Sequence, residues 1–158
     1  MNKSVEAICV INQNNITGTI VFTENLKEKK TDIHINLKGL TPGLHGFHIH
    51  EYGDLREGCS STCAHYNPYN KKHGGPNSKE RHVGDLGNIK ANKEGIVKMK
   101  MSDKLIKLRG KYNVIGRSIV IHEDEDDLGE GGHDDSLRTG HAGARITCAV
   151  IGYSKKMC

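Results

Sequence analysis

An all-β fold, an antiparallel sandwich or barrel, is predicted for this 158-residue chain by three features of its sequence. Apolar and polar residues alternate with a period of two, turn residues cluster between the alternating stretches, and no long amphipathic helix or internal repeat appears. The alternation runs through Val5, Ala7, Cys9 and Ile11, through Ile33, Ile35 and Leu37, and through Val97, Met99 and Met101 with Lys98 and Lys100 between them. Each stretch reads as a half-buried strand. The segments Asn12-Gln13-Asn14-Asn15, Thr41-Pro42-Gly43 and Asn92-Lys93-Glu94-Gly95 supply turns between short strands. By length the chain is one domain, residues 1–158, large enough for a single core. Only 35% of it is hydrophobic, and no apolar run approaches the roughly 18 residues of a membrane helix, so a soluble protein is expected. The net charge of +4 is compatible with an anionic partner, nonspecific polyanion binding included, while aromatic interleaving and arginine-rich helices, the marks of specific nucleic-acid binding, are missing.

Chemistry enters with His48-Ile49-His50, His65, His73, His82 and Asp85, followed by His122 on what reads as a separate strand. Neutral imidazole suits zinc and copper, whereas magnesium and calcium prefer oxygen, so transition metals are the first expectation. Residues two apart on a strand share a face, which makes His48 and His50 a rigid pair of nitrogen ligands. Zinc hydrolases that open with His-x-His continue x-Asp-His; here Glu51-Tyr52-Gly53 follows, and the water-activating Asp is lost. From Gly53 to Gly84 periodicity disappears among Gly, Pro, Asn, Ser and Lys. A loop of about thirty residues needs a functional reason, and metal binding supplies one. His73, His82 and Asp85, with His65 as the obvious further nitrogen, form a closed four-coordinate set of the structural zinc type. His48, His50 and His122 then remain as three strand nitrogens with an open or shared position. Two sites are suggested; spacing leaves open whether His65 serves both.

Several blocks, in order, resemble a known family. Gly46-Phe47-His48-Ile49-His50-Glu51-Tyr52-Gly53-Asp54, Tyr66-Asn67-Pro68, Lys72-His73-Gly74-Gly75-Pro76, Arg81-His82-Val83-Gly84-Asp85-Leu86-Gly87-Asn88, Gly116-Arg117-Ser118-Ile119-Val120-Ile121-His122-Glu123 and Asp126-Asp127-Leu128-Gly129 are similar to the copper/zinc superoxide dismutases, over about Val5 to Gly152. The resemblance implies an eight-stranded antiparallel Greek-key β-sandwich or barrel, with a metal-binding loop over about 53–85 and an electrostatic loop over about 124–144. It implies one copper and one zinc ion per subunit: copper on His48, His50, His65 and His122, zinc on His65, His73, His82 and Asp85, with His65 as bridge. The activity implied is copper redox disproportionation of superoxide.

Further roles follow from the same likeness. Arg145 is expected beside the copper, where a guanidinium docks an anion, with His65 as the proton-handling residue. Asp126, in the run Glu123-Asp124-Glu125-Asp126-Asp127, is expected to link a copper histidine to a zinc histidine, whereas Asp124 and Glu125 read as surface charges. Asp134, Asp135, Arg138 and Thr139 fall in the electrostatic loop and are expected to guide the substrate. His133, Leu137 and His141 stand where the family pattern has an amide, a small polar residue and an amide. A third metal on those two histidines is one reading; solvent-facing substitution is preferred, because neither has a ligand partner at useful spacing. His34 reads as an exposed strand position and His45 as structural.

Five cysteines sit awkwardly with a chain that enters its first strand just after Met1-Asn2-Lys3-Ser4 without an apolar leader, which predicts a cytoplasmic location where disulfides are rare. The resemblance pairs Cys59 with Cys148. Cys9 reads as a buried hydrophobe, and Cys63 and Cys158 have no equivalents in the pattern. Homodimerisation is implied through Tyr52-Gly53-Asp54, Val114-Ile115-Gly116 and Ile151-Gly152-Tyr153. A copper chaperone is a candidate partner, although no proline stands beside Arg145 and dependence on one is relaxed by analogy. Against the enzyme stands a non-catalytic copper/zinc-binding or copper-delivery domain of the same fold. A delivery protein would carry Cys-x-x-Cys, and Cys59-Ser60-Ser61-Thr62-Cys63 has the wrong spacing. A zinc-only domain would have lost a copper histidine or Arg145.

Overall fold

The computed structural model describes residues 4–158. Two antiparallel sheets face each other. The first, in the order β6-β3-β2-β1-β9, comprises β1 (Ser4–Gln13), β2 (Ile16–Asn25), β3 (Lys30–Lys38), β6 (Ile96–Asp103) and β9 (Gly152–Tyr153). The second, in the order β5-β4-β7-β8, comprises β4 (Gly43–His50), β5 (Asp85–Ala91), β7 (Ser118–His122) and β8 (Arg145–Val150). The chain leaves the second sheet after β5, pairs β6 with β3, and returns on the far side of β4, a Greek-key path. Eight strands of five or more residues form the sandwich. The ninth, Gly152–Tyr153, is two residues long and arises because the chain crosses sheets at Ile151 to pair with β1.

Alternation translates directly into burial in the first sheet. Val5, Ala7, Cys9 and Ile11 point inward from β1, and Ile33, Ile35 and Leu37 from β3, while His34 is exposed. The turn from β1 to β2 is only Asn14-Asn15, both at positive φ (54° and 62°), the two-residue hairpin geometry that Asn tolerates. Strand β1 therefore runs two residues further into the Asn-rich cluster than its first Asn suggests. Met99 and Met101 are only partly buried at the core edge.

The second sheet behaves differently, and this positions the site. Phe47 and Ile49 of β4 and Ile119 and Ile121 of β7 enter the core. His48, His50, Ser118, Val120 and His122 point the other way, yet all are buried. Two loops cover that outer face: residues 51–84, with a single 3₁₀ turn at Ser60–Thr62, and residues 123–144, with a short helix α1 (Ser136–Thr139). A disulfide between Cys59 and Cys148 fastens the first loop to β8. A buried Arg81–Asp103 ion pair at 2.6 Å fastens its far end to β6, and Arg81 also donates to the carbonyls of Pro76, His82 and Val83. Asp85 opens β5, paired with His48, so the loop ends one residue before it.

Candidate metal centre

On the covered face, β4 and β7 run side by side with His48 opposite Val120, so His122, two residues beyond Val120, lies diagonally across from His48. His65 arrives from the loop and bridges β4 at His50. The ring nitrogens of His48, His50, His65 and His122 lie within 4.8 Å of one another. Each of three rings is oriented by its outer nitrogen. His48 Nε2 donates to Asp126 Oδ2 (2.5 Å), His50 Nδ1 to the Cys63 carbonyl (2.8 Å) and His122 Nδ1 to the Gly143 carbonyl (3.1 Å). The other nitrogens, His48 Nδ1, His50 Nε2 and His122 Nε2, together with His65 Nε2, are buried without a hydrogen-bond partner among the described residues. Leaving a buried polar atom unpaired costs about 1–3 kcal/mol each. Four lone pairs converging on one point fit a cation.

A second set shares His65. His65 Nδ1, His73 Nδ1 and His82 Nδ1 lie 2.9, 2.9 and 3.1 Å from the single atom Asp85 Oδ1, and His65 and His82 present Nδ1 to each other at 3.4 Å. One carboxylate oxygen has two lone pairs and cannot accept well from three imidazoles. A tetrahedron of ligands about 2.0–2.1 Å from a central zinc ion has edges of about 3.3–3.4 Å; the His65–His82 separation matches this, and the three separations to Asp85 are somewhat shorter. Asp85 is held by its other oxygen, which accepts from the His82 and Gly74 backbone N–H groups at 2.8 and 3.0 Å. The residues of both sets thus fit a metal by donor chemistry and by orientation of the outer nitrogens.

Charge follows burial. Desolvation pushes His48, His50 and His65 below the usual imidazole range, and His122 down to about 4, with neighbouring histidines and, for His50 and His122, the Arg145 charge adding to the effect. Neutral imidazole, the form that ligates, is favoured. His73 goes the other way, up to about 9: burial lowers it, but Asp126 and Asp85 outweigh burial.

Asp126 is 1% exposed within an acidic run whose Asp124 and Glu125 are exposed. Its Oδ2 accepts from His48 and its Oδ1 from His73 Nε2 at 2.8 Å, so it joins the strand set to the loop set. Asn88, which the sequence does not single out, grips its backbone from both sides. Gly140 is required here: at φ 72° a Cβ would lie 2.6 Å from His73 Nε2 and closer still to Asp126. Arg145 Nη1 donates to the Cys59 carbonyl (2.8 Å) and Thr62 Oγ1 (3.2 Å), and no hydrogen bond among the described residues uses its Nη2 or Nε. The disulfide therefore sits beside the group that sets Arg145. Asp134, Arg138 and Thr139 are exposed and Asp135 is half-buried around α1. Arg138 lines a cavity of about 510 Å³ with His65, Lys71, Lys72, His82 and Glu51. His45 Nδ1 donates to the His122 carbonyl (2.8 Å) and takes no part in either set.

A family model described as copper/zinc superoxide dismutase matches residues 16–151. The chain belongs to the copper/zinc superoxide dismutase family. It is 55% identical over 157 residues to the Cu-Zn superoxide dismutase of Paramecium bursaria Chlorella virus 1, covering 99% of this chain and 82% of that one. It is 48% identical over 159 residues to the extracellular Cu-Zn superoxide dismutase of Brugia pahangi, covering 98% and 79%. Among solved structures, the crystal structure of the clock protein EA4 superposes with a TM-score of 0.92 at 43% identity, covering 98% of both chains.

Residues that sequence reasoning passed over are those that orient rather than bind: Thr62, Asn88, Gln13 beside the disulfide, and the Arg81–Asp103 pair. Nothing local distinguishes them from surface polar residues. His133 and His141 are both exposed, and their rings stack on each other with centroids 3.7 Å apart.

Proposed function

We propose that this dismutase family member converts two superoxide anions and two protons to dioxygen and hydrogen peroxide, with His48, His50, His65 and His122 holding copper and His65, His73, His82 and Asp85 holding zinc. The observation that carries the reading is His65, whose two ring nitrogens belong to different ligand sets. When bound, copper supplies the one-electron couple that zinc lacks, and zinc supplies a fixed positive charge.

The residues of the chain do the rest. Arg145, clamped through Nη1 alone, offers its remaining donors to a docking superoxide. The first superoxide leaves as dioxygen after giving up one electron, and His65 Nε2 takes a proton. The second superoxide gains that electron with the His65 proton and one from water, forming hydrogen peroxide. Asp126 keeps His48 and His73 turned toward their respective ligand sets. Lys71, Lys72 and Arg138 add positive charge near His65, balanced by Asp134 and Asp135, and favour approach of a small anion. A binding or delivery domain without turnover is not favoured, because both ligand sets and Arg145 are complete.

A homodimer is part of the proposal. Val114 and Ile151 are buried in their own subunit, but Tyr52 and Tyr153 are 51% and 59% exposed, and Val10, Leu55 and Val150 line an apolar groove. Sedimentation of the metallated protein as a single 17.4 kDa species would sink it. Copper entry through a chaperone belongs to the same reading. A cytosolic location is proposed on two exposed free thiols, Cys63 and Cys158, which suit a reducing compartment, although the Brugia relative is named extracellular; cell fractionation decides it.

The enzymatic reading is tested by measuring superoxide consumption and metal content of wild type and His122→Ala. Wild type should carry one copper and one zinc and be active, and the variant should keep zinc and lose copper and activity. An inactive, fully loaded wild type, or an active variant, refutes it.

A further inference from the structure

Helix α1 brings together two histidines that lie eight positions apart, one on each side of it. The His133 and His141 rings stack with centroids 3.7 Å apart and planes 13° from parallel. Asp135 Oδ1 accepts from His141 Nδ1 at 2.7 Å, and its other oxygen accepts from Thr139 Oγ1 at 3.2 Å. The His133 backbone is fixed in turn, its N–H donating to Ser136 Oγ, which donates to Asp127.

This is the wiring that surrounds metal-bound histidine. A carboxylate on Nδ1 sets the tautomer and leaves Nε2 as the free lone pair. His141 has that arrangement at the surface, with a second imidazole against its face. We propose that His133 and His141, oriented by Asp135, form a third, solvent-facing site for a divalent transition-metal ion. Two imidazole nitrogens completed by water select copper(II) above zinc. Asp134 and Asp135 beside the pair favour a cation, and Arg138 on α1 opposes it. The rings must splay from their stack for both nitrogens to reach one ion, and both side chains are exposed. The site shares no residue with the two buried ligand sets.

The test uses the protein already loaded with copper and zinc, titrated with copper(II) chloride and followed by calorimetry and electron paramagnetic resonance. One further equivalent per chain is expected, with superhyperfine coupling to two nitrogens. It should disappear in His133→Asn and in His141→Asn; Asn tolerates the positive φ of 52° at position 141, and an unchanged melting temperature confirms the fold. Asp135→Asn should weaken the extra binding about 10- to 100-fold. His34→Asn, at the exposed histidine of β3, should leave it intact. No uptake beyond the two buried ions, retention of the third equivalent in His133→Asn or in His141→Asn, or its loss in His34→Asn overturns the proposal.

Discussion

Replacing both Cys59 and Cys148 by serine removes the covalent tie between the metal-binding loop and β8. The two cysteines are 89 positions apart, so the link closes a loop of that length in the unfolded chain. In the chain-entropy model a loop of about ninety residues corresponds to a lost stabilisation of about 4–5 kcal/mol. Little further penalty is expected at the buried end, because the hydroxyl of the serine that replaces Cys148 would face Gln13 Oε1, 3.7 Å from Cys148 Sγ, and can donate to it. For a domain of this size the loss corresponds to a melting temperature lower by about 10–20 °C. Scanning calorimetry of the metal-free oxidised protein and the double variant reads this directly. A second readout belongs to function: the Cys59 carbonyl holds Arg145, so kcat/KM of the metallated variant should also fall. A melting temperature within about 3 °C of wild type, roughly what a single kcal/mol would produce, would refute the tether argument.

Three other outcomes follow from the same geometry. His65→Ala should lower both copper and zinc content, whereas His50→Ala should lower copper alone, read by elemental analysis after dialysis. Asp126→Asn should reduce metal affinity or activity by about 10- to 100-fold, since it loosens one ring of each ligand set at once; chelator competition for both metals measures it. Arg81→Met strands Asp103, 6% exposed, without its partner and should cost about 3–5 kcal/mol in urea unfolding.

Strands β1, β3 and β6 were legible because one face meets solvent and the other the core, which writes a period of two into the sequence. Strands β4 and β7 are less plain: Phe47-His48-Ile49-His50 alternates, but both faces are buried because loops cover the outer one, and Val120 interrupts the alternation in β7. The ligands were legible for a chemical reason: histidines so concentrated have few uses other than metal binding. Asp126 was marked out only by the family resemblance, since residue type and spacing alone do not tell it from Asp124, and Asn88 and Thr62 were not marked out as orienting residues at all.

The amino-acid sequence by itself determined the fold class, the candidate ligands and the family, because periodicity and ligand chemistry are local properties of residue type and spacing. The tertiary structure brings one nitrogen of His65 to each set and Asp126 between them, an arrangement that only the family resemblance had implied, and it alone brings His133 against His141. Each of these depends on side chains from separate segments arriving at one point, and no local spacing encodes such a meeting.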